Sequence, residues 1–201
     1  EKIGHFLDVE NDELYHRFKK EYDSNLEVYG QISEHIEIQK ILKKASEDWD
    51  GGYTMAGLLG HGDAFVLRDP AGVRPAFWYE DDEVCVVASE RPAIQTAFNL
   101  QVDDIQELNP GHALIVKKNG LVKEHLINEP TVVSKCSFER IYFSRGSDKD
   151  IYTERKELGR LIVEPVLDTI DHDLDNSVFS FIPNTAEISF YGMVKGLESH
   201  L

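Results

Sequence analysis

The chain has 201 residues, 41% apolar and 29% charged, a globular composition that excludes disordered, collagen-like and coiled-coil readings. Its formal net charge of −16 repels nucleic-acid phosphates and anionic lipid head groups, so neither is an expected partner, while a local basic pocket for one small phosphate ligand stays allowed. No run approaches the roughly 20 apolar residues that a membrane span needs, and two cysteines, Cys85 and Cys136, cannot build a disulfide framework.

Residues 11–22 carry apolar teeth at Leu14, Tyr15 and Phe18, the spacing of one helical face. Residues 31–49 repeat the pattern more strongly through Ile32, Ile36, Leu42, Ala45 and Trp49, and Gly51-Gly52 closes that helix. From Tyr53 the period changes. Residues 53–59, 64–68, 75–79 and 83–88 read as four short strands with tight turns between them, which predicts an antiparallel meander. Ser89 and Pro92 have a helix-starting look, with a short helix over 93–98. Residues 103–108 and 112–117 predict a hairpin around Asn109-Pro110-Gly111, and Asn119-Gly120 predicts another leading into 121–127. Residues 129–135 read as a connector. After it, 138–144 alternates like a strand, and 150–170 reads as a long helix with a kink or break at Pro165. Residues 177–182 predict a strand buried on both faces, followed by the loop Pro183-Asn184-Thr185-Ala186 and an apolar helix. The fold class expected is α+β, antiparallel-rich at first, with the opening of an α/β domain behind it.

Few residues announce chemistry. The eight histidines show no zinc spacing, and there is no nucleophile elbow, Walker loop or dinucleotide fingerprint. His61, between two glycines, is accounted for as a turn residue. Cys85 reads as a small core residue; Cys136, flanked by polar residues at a domain junction, is the better of the two for chemistry, but with no His or base placed by sequence to activate it a structural role accounts for it. Arg68, Asp69 and Arg74 surround a tight turn whose own chemistry explains these residue types. Thr185, at the C-terminal end of a predicted strand, either caps the next helix or meets a ligand there. The chain opens Glu1-Lys2-Ile3 with no targeting pattern and stops on a helix end without a capping glycine. These ends predict a piece of a longer protein, and the expected compartment is the cytoplasm.

Three stretches, taken in order, resemble one family. They are Gly52-Tyr53 through Arg68-Asp69-Pro70-Ala71-Gly72-Val73-Arg74-Pro75 with Ala88-Ser89-Glu90, then Glu107-Leu108-Asn109-Pro110-Gly111-His112-Ala113, then Cys136-Ser137-Phe138-Glu139-Arg140-Ile141-Tyr142-Phe143-Ser144-Arg145 with Ile151-Tyr152 and Arg155. The family is the glutamine phosphoribosylpyrophosphate amidotransferases (amidophosphoribosyltransferases) of purine synthesis. The first stretch is shared among several class II glutaminases, whereas the third is far more particular.

The resemblance implies residues 1–130 as the C-terminal portion of a class II, N-terminal-nucleophile glutaminase domain with αββα-type antiparallel sheets. It implies 131–201 as linker and first elements of a phosphoribosyltransferase α/β domain. The parent enzyme would release ammonia from glutamine and use it to displace pyrophosphate from phosphoribosyl pyrophosphate, giving phosphoribosylamine on the route to IMP. The family's catalytic cysteine opens the mature protein, where this chain has Glu1, so no catalytic residue is assigned and the chain alone is expected to be inactive. Thr185 matches the loop hydroxyl that meets the substrate's magnesium, with Asn184 beside it, although this loop departs from the commoner Pro-Asp-Ser-Gly. Tyr142 matches the region lining the ammonia channel. Cys136 matches an iron–sulfur ligand of cluster-containing relatives, and no cluster is expected here because the other ligands are missing. Magnesium is the parent's implied cofactor, glutamine and phosphoribosyl pyrophosphate its substrates, and a homo-oligomer its expected assembly. The alternatives are another class II glutamine amidotransferase and a non-catalytic regulatory or assembly module on the same scaffold.

Overall fold

Where the apolar residues fall decides which segments pair, and in the computed structural model, which describes residues 1–200, they build two units. The first comprises Glu1–Ser89 and Ile94–Lys135; the second comprises Glu90–Ala93 and the described residues from Cys136 onward.

Three helices open the first unit: α1 (Lys2–Phe18), α2 (Asn25–His35) and α3 (Ile38–Ser46). The helix expected over 11–22 starts at Lys2, because Ile3, Phe6 and Leu7 continue the apolar face of Leu14 and Phe18. The helix expected over 31–49 is two helices. Ser24 Oγ accepts from Leu26 N at 3.2 Å and starts α2. Ile36 then turns to an extended conformation (φ −64°, ψ 124°) while staying buried, so its side chain joins the α1–α2 contact and α3 leaves in a new direction.

The strands are β1 (Thr54–Leu58), β2 (Ala64–Arg68), β3 (Phe77–Glu80), β4 (Cys85–Ala88), β5 (Gln106–Glu107), β6 (His112–Val116) and β7 (Val122–Leu126). They form two antiparallel sheets, ordered β1-β2-β6-β7 and β4-β3-β5, and not one meander. β2 pairs with β6 (Phe65 opposite Ile115), and the expected hairpin of 103–108 with 112–117 is absent, since β5 pairs with β3. The physical reason lies in two-sided burial. Phe65, Leu67, Ala113 and Ile115 face Ile38 and Leu42 of α3, while Val66 and Leu114 face Ala76, Trp78 and Leu108 beside the second sheet. With both faces of β2 and β6 apolar, the turns after β2 and before β6 carry the chain from one sheet to the other. The Asn119-Gly120 hairpin forms as expected: β6 pairs with β7, Gly120 has φ 87°, and Asn119 Oδ1 accepts from Leu121 N at 3.1 Å.

The described part of the second unit is helical: a single π turn (Glu139–Phe143), then α5 (Lys149–Leu161), α6 (Val163–Thr169) and α7 (Glu187–Leu197), with the first residues of α4 (Arg91–Phe98) also assigned to it. The strand expected over 138–144 is that π turn. The helix expected over 150–170 breaks at Ile162 and not at Pro165. Pro165 falls in the first turn of α6, where a missing N–H costs little. The strand expected over 177–182 is absent among the described residues. Its side chains alternate instead, Phe179 and Phe181 packing on the helices while Val178 and Ile182 are 95% and 84% exposed. An extended segment with no strand beside it buries one face only. Helix and antiparallel sheet together give the α+β class expected, but among the described residues the opening of an α/β sheet does not form.

Candidate functional site

The arginine–aspartate turn is densely hydrogen-bonded. Asp69 is fully buried, and its carboxylate accepts from the N–H groups of Ala71 (3.1 Å), Val73 (2.9 Å) and Arg74 (3.0 Å). Its own N–H donates to Tyr53 O, and its carbonyl accepts from Gly72 N and Gly111 N. Arg68, 2% exposed, donates through Nε to Arg74 O at 2.8 Å, through Nη2 to Gly72 O at 3.3 Å and through Nη1 to Leu108 O, and pairs with Glu107 at 2.9 Å. All of this capacity goes to backbone at the two sheet-to-sheet crossings, 69–75 and 108–111, apart from the Glu107 pair. Gly111 has φ 73°, and a Cβ there would lie 2.2 Å from Asn128 O, so only glycine fits. The turn-chemistry reading of Arg68 and Asp69 holds, and Arg68 joins β2 to the strand-edge loop around Leu108. Thr131 N and Ser134 N donate to Pro70 O and Ala71 O, so the connector after β7 is fastened to the same turn.

His61 sits in a second polar group. Its Nε2 lies 3.0 Å from the buried Asp63 carboxylate, which also takes Lys117 Nζ at 2.5 Å and Lys118 N at 2.8 Å. Burial works against the charged form of Asp63, but these donors outweigh it and hold its pKa below the ordinary aspartate value. A carboxylate so committed, and 1% exposed, organises the turn after β1 and is closed to a substrate.

The remaining candidates lie in the second unit. Cys136 is a half-buried free thiol whose carbonyl accepts from Glu139 N (3.1 Å) and Arg140 N (3.4 Å), starting the π turn. Tyr142, on that turn, is 62% exposed, its ring meeting Phe143 edge-on at 5.4 Å between centroids. Asn184 and Thr185 occupy the turn before α7, where Asn184 O accepts from Glu187 N at 3.3 Å. α7 begins after Ala186 with no side-chain cap, so Thr185 is not its N-cap, which removes one of the two roles its position suggested. The other thiol, Cys85, lies in β4 of the first unit, where burial and then Glu80 push its pKa up, away from the reactive thiolate.

Neither magnesium nor an iron–sulfur cluster finds a complete donor set among the described residues. An iron–sulfur cluster takes about four thiolates, and this chain has two cysteines assigned to different units. Magnesium takes about six oxygens in octahedral array. The 183–186 turn offers one amide and one hydroxyl, and among the described residues no three His, Cys, Asp or Glu side chains gather for a metal. A groove of about 730 Å³ in the second unit, lined in part by Tyr152, Lys156, Arg160, Lys195 and His200, contains none of Cys136, Tyr142, Asn184 and Thr185. Arg160, Lys195 and His200 there are each paired with a glutamate.

One ion-pair cluster escaped sequence reasoning. Arg91 grips Asp148 with both Nε (2.9 Å) and Nη2 (2.7 Å) and reaches Asp150 at 2.7 Å. Asp148 is also the N-cap of α5, accepting from Asp150 N and Ile151 N. Burial opposes its charge, yet Arg91 and the cap bonds depress its pKa. An aspartate just ahead of a helical run was the available signal for the cap; nothing in the local pattern pointed to an arginine more than fifty positions away.

No protein-family model matches the chain. Among curated proteins it is 31% identical over 150 residues to the amidophosphoribosyltransferase of Archaeoglobus fulgidus, covering 70% of this chain and 32% of that protein. It is 26% identical over 170 residues to the amidophosphoribosyltransferase of Methanothermobacter thermautotrophicus, covering 81% and 32%. The chain thus spans about a third of the length of these relatives. In fold it is similar to the glutamine phosphoribosylpyrophosphate amidotransferase from B. subtilis complexed with ADP and GMP, with a TM-score of 0.61 at 23% identity over 93% of this chain and 41% of that one. It is likewise similar to a structure described as the allosteric regulatory enzyme of purine biosynthesis, at the same TM-score. The chain is similar to amidophosphoribosyltransferases over most of its length, as its three motif stretches implied. Among the described residues no helix is long and apolar enough to cross a membrane.

Proposed function

We propose that these residues are a segment of an amidophosphoribosyltransferase. The first unit would be the later part of its N-terminal-nucleophile glutaminase domain, and the second the entry to its phosphoribosyltransferase domain. The whole enzyme would hydrolyse glutamine to glutamate and ammonia. The ammonia would then displace pyrophosphate from phosphoribosyl pyrophosphate to form phosphoribosylamine. The observation that carries this reading is the 31% identity over 150 residues to a curated amidophosphoribosyltransferase.

On this reading the two units do different work. The helix–sheet–sheet layering would supply a rigid wall for the amide-cleaving cavity, with Asp69 and Arg68 fixing the loops at one end of its sheets. Tyr142, carried by the π turn, would line the path that ammonia follows. Thr185 and Asn184 would present a hydroxyl and an amide toward the sugar-phosphate, and magnesium enters the proposal only as an ion carried by the substrate's pyrophosphate. Cys85 is a poor nucleophile because burial disfavours its thiolate, among the described residues no base is hydrogen-bonded to the Cys136 thiol to activate it, and neither half-reaction is assigned to a residue of this chain. The 201 residues alone should therefore release no glutamate from glutamine above buffer. The compartment proposed is the cytoplasm, and self-association is proposed for exposed apolar side chains such as Val178 and Ile182.

The test is pyrophosphate release by the natural gene product that contains this sequence, supplied with phosphoribosyl pyrophosphate and either glutamine or ammonium. Release with both nitrogen sources is expected. Release with neither would overturn the reading.

A further inference from the structure

Arg155 is 5% exposed, yet among the described residues no carboxylate pairs with it. Burial alone bears on its charge and lowers its pKa from the ordinary arginine value. Its guanidinium is committed to two backbone carbonyls: Nε donates to Arg140 O at 3.0 Å and Nη2 to Ser144 O at 2.8 Å. Arg140 lies inside the Glu139–Phe143 π turn and Ser144 is its C-cap, and the turn closes with Ser144 N donating to Glu139 O at 2.7 Å. The backbone comes close on the other side as well, since a Cβ on Gly146 would lie 3.5 Å from Arg155 Nη1 and 2.4 Å from Ile188 Cδ1.

A buried cation without a counter-charge is expensive, and a planar fork is the side chain that can serve two acceptors at once. π turns are rare and occur frequently at functional sites. This one points its carbonyls inward to Arg155 and turns apolar side chains outward: Phe138, Ile141, Tyr142 and Phe143 are 67%, 48%, 62% and 50% exposed.

We propose that Arg155 is a positioning residue that locks the π turn through Arg140 O and Ser144 O and thereby sets the orientation of Tyr142. The inference rests on the function proposed above for its consequence, but not for its geometry. It requires that loosening the turn should waste ammonia while sparing chemistry at either end.

Two measurements on Arg155→Lys and Arg155→Gln test it. In the natural gene product, phosphoribosylamine formation from glutamine should fall about tenfold more than formation from ammonium, with glutamate release maintained; a tenfold loss corresponds to about 1.4 kcal/mol. The lysine variant, which keeps the charge and a long arm with a donor nitrogen for one carbonyl, should lie between wild type and the shorter, neutral glutamine variant. Equal loss with both nitrogen sources, or no loss, would overturn the positioning role. In the 201-residue chain, hydrogen exchange at the Ser144 amide should quicken by about the same factor while the central amides of α5 stay protected. Unchanged exchange at Ser144 would overturn the lock itself. If the wild-type gene product forms no phosphoribosylamine at all, the functional reading fails, and the exchange experiment still decides whether Arg155 holds the turn.

Discussion

Asp69 shows how much one side chain can fix. Its two carboxylate oxygens accept three backbone N–H groups in a site closed to water. Removing them orphans donors that cannot be hydrated. Asp69→Ala should therefore destabilise the first unit by about 3 kcal/mol, while Asp69→Asn, which keeps one acceptor oxygen, should cost about half as much. Both tryptophans, Trp49 and Trp78, lie in this unit, so the midpoint of urea unfolding followed by their fluorescence reads the effect directly. Titration gives a second handle. Asp63 and Asp148 both have folded pKa values below 3.8. Between the folded value and 3.8 the unfolded chain binds more protons, so stability rises with pH there. Their contribution is complete above about pH 5, and it is lost as pH falls through 3.8 toward the lower folded values. Asp63→Asn and Asp148→Asn should flatten the acid limb of a stability–pH curve, and an unchanged limb would contradict their ion pairing. At this scale the sequence was legible where the chemistry is local. The turn role of Asp69 follows from the Asp-Pro-x-Gly pattern, whereas the Arg91–Asp148 and Arg155–carbonyl contacts join residues far enough apart to leave no periodic trace.

Elements were legible in proportion to how far their partners are local. The Asn-Gly hairpin formed where expected because its turn and its pairing are the same short stretch. The meander did not, because strands 64–68 and 112–116 are apolar on both faces, and the local pattern does not say which neighbour each face will meet. Segment 177–182 failed for a related reason: Phe179 and Phe181 alternate with Val178, Ser180 and Ile182, so both faces carry apolar side chains although only one packs on the helices. The contact of α5 with α7 is legible only from the structure. A Cβ on Gly159 would lie 1.8 Å from Ser189 O, and one on Gly192 would lie 2.0 Å from Lys156 O, so backbone meets backbone at this crossing. Gly159→Ala should push the helices apart and cost about 3 kcal/mol. Gly30, inside α2 with nothing within 4 Å of where a Cβ would stand, offers the opposite case. Gly30→Ala should stabilise the protein by about 0.5–1 kcal/mol through helix propensity. Thermal unfolding followed by circular dichroism at both variants separates close packing from propensity.

At the scale of the whole molecule, the family that the chain is similar to was legible only through resemblance, because the residues that would identify a chemistry on their own are not gathered among those described. Composition and charge excluded partners without naming one. The motif stretches named a family, and similarity over 70% of the chain to the Archaeoglobus fulgidus enzyme agrees with them. The most direct measurement follows nitrogen. The natural gene product is given glutamine labelled with ¹⁵N at its side-chain amide, together with phosphoribosyl pyrophosphate, and the products are read by mass spectrometry. The account predicts label in phosphoribosylamine with glutamate and pyrophosphate formed in equal amounts. Glutamate formed without labelled phosphoribosylamine, or label delivered to a different acceptor, would contradict it.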